Sequence, residues 1–110
     1  MNQASLLAKD HGLFLKDSSD ALNAIGSGIH GCVFTETDIS DDFFDLKNGL
    51  AGEVFQKFVN YRFLAAFVLP VNHRYDDRVS ELINDHKKHS VIRFFNSSKE
   101  AVAWLQEKNI

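Results

Sequence analysis

The apolar positions of this chain change their period several times, and each change marks an element. Residues 63–69 (FLAAFVL) form an unbroken apolar run, which predicts a strand covered on both faces, as in the middle of a parallel sheet. Just before it, Leu50, Ala51, Val54, Phe55, Phe58 and Tyr61 recur at helical spacing. They predict a helix over residues 49–61, with Asn48 as its cap. The opposite side of that helix carries Gly49, Gly52, Glu53, Gln56 and Asn60, a narrow polar strip on which two side chains are missing. Upstream, Ala21, Leu22, Ile25 and Ile29 follow the capping oxygens of Asp17 to Asp20 and predict a helix of about three turns ending near His30. Residues 31–36 alternate like a strand, and the acidic, aromatic segment 38–46 reads as a loop or a single helical turn.

After Pro70 stops the central run, Asp76 caps a third helix with Val79, Leu82, Ile83 and His86 on one face and a basic end at Lys87, Lys88 and His89. Residues 91–95 make a short strand. Ser97 and Glu100 then form a capping box ahead of Ala101, Val102, Trp104 and Leu105. At the N-terminus, residues 4–9 and 13–16 flank the turn Asp10-His11-Gly12 and predict a small antiparallel hairpin. The expected fold is therefore a single α/β domain, ββαβαβαβα, with a mostly parallel sheet, an N-terminal antiparallel hairpin and about four helices.

Composition narrows the class. A chain of 110 residues, 45% hydrophobic and 25% charged, is large enough for one self-sufficient core. A formal charge of −3 offers no general attraction to a phosphate backbone, so no nucleic-acid partner is expected. The run 63–69 is far too short to span a bilayer, and the start MNQASLLAKD has no signal-peptide pattern, so the expectation is a cytoplasmic protein with no membrane partner. The single cysteine, Cys32, excludes an internal disulfide and a cysteine-rich zinc site. No phosphate-binding glycine loop occurs, and His86 and His89 have no third ligand at a recognisable spacing, so neither cofactor nor metal is expected.

The stretch FFDLKNGLAGEVFQKFVNYR, residues 43–62, resembles the signature of a bacterial domain-of-unknown-function family, number 4180. Its members read close to FFDL-(R/K)-T-GLAGE, two hydrophobic residues, QKF-x-NYR and an apolar strand. A weaker likeness extends to DALNAI in the first helix and AVAWL in the last. The order strand, loop, capped helix, strand is also similar to that of sulfate-transporter and anti-sigma-factor-antagonist (STAS) domains, and this resemblance implies a STAS-like fold. Two departures limit what carries over. STAS antagonists place a phosphorylatable serine at the start of the helix, where Asn48 stands here, so that switch is rejected. The family's Gly-Asp-Phe-like turn after the central strand is replaced by Leu69-Pro70-Val71-Asn72-His73-Arg74-Tyr75.

Three groups of residues qualify as sites. The strip Gly49, Gly52, Glu53, Gln56 and Asn60 invites close approach by another helix of the domain, a second subunit or a ligand. Phe43 and Phe44, set among Asp41, Asp42 and Asp45, either dock a partner or close the end of the core. His73, Arg74 and Tyr75 follow the central strand at the edge where open α/β sheets hold ligands, and bring a proton-transfer group, an anion binder and a phenol. Cys32 reads as a buried apolar residue. The expected function is a noncatalytic binding or regulatory module acting as a homodimer. The alternative is a protein that binds a small anion or metabolite, with or without catalysis, near Glu53 and His73 to Tyr75.

Overall fold

The computed structural model describes residues 5–108. Three strands, β1 (Gly31–Phe34), β2 (Leu64–Val68) and β3 (Ile92–Phe95), form a parallel sheet in the order β1-β2-β3. Four helices accompany it: α1 (Ser18–Ile25), α2 (Leu50–Asn60), α3 (Asp77–Asp85) and α4 (Ser98–Glu107). The central strand is β2, as its unalternating sequence requires. Its Ala65, Ala66 and Phe67 are all buried, and it pairs with both neighbours.

Alternation along the strands sorts the core into two faces. Cys32, Phe34, Ala65, Phe67 and Ile92 point toward α1, α2 and α3, whereas Val33 and Ala66 point toward Ala101, Trp104 and Leu105 of α4. The first face is aromatic. Phe67 stacks on Phe34 at 5.3 Å and on Phe94 at 5.5 Å between ring centroids, and Phe58 stacks on Phe63 at 4.9 Å. On the second face the Arg93 guanidinium lies 5.3 Å from the Trp104 ring.

Among the described residues the N-terminal antiparallel hairpin does not form, and the sheet has three strands where five were expected. The expected first strand begins at Ala4, outside the described residues. The part that is described makes isolated parallel bridges, Leu7 with Val33 of β1 and Leu15 with Ile39 in the segment after it, around a 3-10 turn at Ala8–His11. The physical reason is competition. The open edge of β1 offers unpaired backbone groups, and Val33 N–H donates to Leu6 O at 2.7 Å. Burying Ala8 and Leu15 completely then favours this course over a local pairing of two short segments.

The first helix is also shorter than predicted, ending at Ile25 with Gly26 as its C-cap. Gly28, at φ +93, turns the chain away, and Ile29 packs on the core from outside the helix. Asp17 caps this helix through the Ser19 and Asp20 N–H groups.

Candidate functional site

Phe43 and Phe44 are core residues. They are 0% and 2% exposed, meet edge to face at 4.9 Å, and both contact Phe67. The docking alternative is thereby overturned, because burying two rings removes far more apolar surface from water than a loop tip can. Asp45 and Asn48 shape the turn that follows. The Asn48 Oδ1 accepts the Leu50 N–H at 2.8 Å and its Nδ2 donates to Asp42 O at 2.9 Å. Gly49, at φ +76, takes the left-handed conformation that leads into α2.

The polar strip on α2 is bare. Gly52, Glu53, Gln56 and Asn60 are exposed, and a Cβ built on Gly52 or Gly49 would meet nothing within 4 Å. Among the described residues no other element packs there, so packing between those elements does not explain the glycines. Nor do Glu53 and Lys57 form an ion pair among the described residues. Val59, 40% exposed, lies on the same side, and Tyr61, 62% exposed, projects past the helix end instead of closing the apolar arc.

The third group sits where the sheet's direction predicts, but it divides. A cleft of about 280 Å³ opens beyond the C-terminal ends of β2 and β3. Leu69, Val71, Ile83 and Phe94 supply apolar walls, and His73, Ser80 and Asn96 supply polar groups. His73 is held from both sides. Its Nδ1 accepts the Tyr75 N–H at 3.2 Å, and its Nε2 lies 3.0 Å from the Ser80 Oγ.

Arg74 turns away from the cleft. Its guanidinium lies 4.7 Å from the Tyr75 ring and 3.7 Å from the Asp41 carboxylate. Tyr75 leans on Phe44 at 5.3 Å. Burial lifts its phenol above the ordinary value while Arg74 pulls the other way, so it stays protonated at neutral pH. Glu53 does not line the cleft, so the expected pairing of Glu53 with His73 to Tyr75 in one site does not occur.

Sequence reasoning missed Ser80, Ile83, Phe94 and Asn96. Asn96 was open to the same argument that selected His73, since it directly follows a parallel strand. Ser80 carried no signal of its own.

The His73 contacts also fix what the cleft can do. A neutral imidazole has one N–H, and the Nδ1 that accepts from Tyr75 cannot carry it. The proton is therefore on Nε2, which donates to Ser80 Oγ. A nucleophilic serine needs the reverse, with Nε2 as acceptor and a carboxylate behind Nδ1.

Other reactive groups are likewise occupied. Burial, reinforced by Asp38, pushes the Cys32 thiol well up, so it is no thiolate. His86 donates its Nδ1–H to Leu82 O at 2.8 Å, while His89 Nδ1 accepts the Val91 and Ile92 N–H groups, each at 3.1 Å. Among the described residues no three His, Cys, Asp or Glu side chains gather as a metal site. No helix among them is long and apolar enough to cross a membrane.

Comparison with known families matches residues 2–105 to the family described as "Domain of unknown function (DUF4180)". The chain belongs to this family. Neither curated proteins nor solved structures gave a match. Within this DUF4180 domain the signature residues 43–62 build the turn, the cap and the inner face of α2, and Arg62, at φ +53, makes the tight passage into β2. They shape the scaffold and do not line the cleft.

Proposed function

We propose that the protein is a noncatalytic binding module whose ligand is a small molecule held in the cleft beyond β2 and β3. The observation that supports this is the cleft's composition: concave, apolar-walled, and furnished with a few convergent polar groups at the C-terminal edge of a parallel sheet. The tautomer of His73 argues against nucleophilic chemistry by Ser80. The anion reading rested on Arg74, whose contacts with Asp41 and Tyr75 direct it elsewhere.

A thermal-shift screen of metabolites on wild type beside Ser80→Trp, an exposed position where the indole fills the cleft, tests the reading. Compounds that stabilise wild type and not the variant support it. A screen without hits, or hits that ignore the filled cleft, overturns it.

A second reading, self-association across the outer face of α2, is favoured by the exposed Val59 beside Gly52. Sedimentation of wild type beside Gly52→Leu tests that surface. A monomer in both samples removes it.

A further inference from the structure

Resting on that cleft as the ligand site, we infer that it selects an uncharged, mostly apolar molecule about one ring in size that presents a hydrogen-bond acceptor to the Ser80 hydroxyl. Size sets the first limit. A closed apolar cavity of roughly 150 Å³ holds benzene, so an open cleft of about 280 Å³ takes a single ring with a short polar substituent.

Hydrogen bonding sets the second. The Nε2–H of His73 fills an acceptor position on Ser80 Oγ, because its other ring nitrogen is committed to the Tyr75 N–H. The hydroxyl proton of Ser80 has no acceptor among the described residues and is free to be donated to a ligand. Asn96, across the cleft at the end of β3, supplies an amide that can both donate and accept.

Charge sets the third. Among the described residues no Lys, Arg, Asp or Glu lines the cleft. A ligand carboxylate would be drawn from water without a cation to meet it, and the α3 N-terminus that could favour an anion already carries Asp76 and Asp77. A ligand ammonium would equally lack a carboxylate. What remains is a neutral group such as a carbonyl, its oxygen on Ser80 and its apolar body against Leu69, Ile83 and Phe94.

Three probes of matched shape separate these requirements: benzamide, benzoate and ethylbenzene. Each is titrated at millimolar concentration into the full chain labelled with nitrogen-15, reading the backbone amide shifts of residues 69–73, 80–83 and 94–96. Benzamide is expected to shift these amides and to bind more tightly than either relative. Ser80→Ala, at an exposed helical position where alanine is well tolerated, is expected to reduce benzamide affinity by about three- to tenfold and to leave ethylbenzene unchanged.

Tighter binding of benzoate at the same amides overturns the neutral class and leaves the cleft as a ligand site. Equal binding of ethylbenzene and benzamide, unaltered by Ser80→Ala, overturns the acceptor requirement alone. If none of the three shifts these amides, the inference fails. A metabolite screen that still finds ligands displaced by Ser80→Trp then preserves the proposed function, and an empty screen removes both.

Discussion

Helices α2 and α3 each follow a strand of the same sheet, yet they meet it differently. α2 buries Ala51, Val54, Phe55 and Phe58 and is tied at its start to the preceding turn through Asn48. α3 buries only Val79 and lies beside β3, an edge strand whose last three residues are half-buried. Full packing closes the inner face of α2, and its polar residues stand on an open outer surface. Partial packing leaves α3 a gap at the strand ends, and that gap is the cleft. The lesson is that suggestive residue types do not make a site. Here it is partial packing of α3, not residue type, that leaves a concave cleft.

This contrast can be broken by mutation. Phe58→Ala, at a fully buried ring stacked on Phe34 and Phe63, is expected to cost about 3–5 kcal/mol in urea unfolding. Val79→Ala is expected to cost about 2 kcal/mol, because α3 has less to lose. A cost for Val79→Ala equal to that of Phe58→Ala would show that α3 is as firmly seated as α2. Asn48→Ala, which removes the cap and the bond to Asp42 O, is expected to cost about 1 kcal/mol, partly restored by Asn48→Asp. Gly52→Ala finds open space in an ordinary helical conformation and is expected to stabilise by roughly 0.5–1 kcal/mol. Destabilisation there would mean that something rests on the strip.

The smallest effect concerns pH at the end of α3. Burial first, then His86 and Arg93, hold the His89 pKa below its ordinary 6.5. The depressed value means that the unfolded chain takes up the proton first. The contribution of neutral His89 is therefore present above about pH 6.5 and is lost as pH falls through the lower folded value. Wild type should lose more thermal midpoint than His89→Asn between pH 7 and pH 5, since asparagine keeps an acceptor for the Val91 and Ile92 N–H groups but does not titrate. Parallel pH profiles would rule out His89 as the source.

Much of the scaffold was legible residue by residue. The run 63–69 announced a central strand, Asp76 and Ser97 each cap the helix predicted for them, and Asn48 binds the first turn of α2 although Gly49 occupies the formal cap position. The hairpin misled because two short segments around a Gly-containing turn carry the same local pattern whether they pair with each other or with a distant edge. The cleft was half legible. His73 followed from strand direction, but Arg74 and Tyr75, adjacent in sequence, were drawn off by Asp41 and Phe44.

By itself the sequence determined the four helices, the three strands of the sheet, the inward face of α2 and that the sheet is largely parallel, because these depend on periodicity and on capping groups within a few residues. Only the tertiary structure decided that Phe43 and Phe44 are buried, that none of the described residues covers Gly52, and that His73, Ser80 and Asn96 share one hollow. Those outcomes depend on contacts between segments far apart in the chain, where the packing of one helix against a strand end sets whether a gap remains.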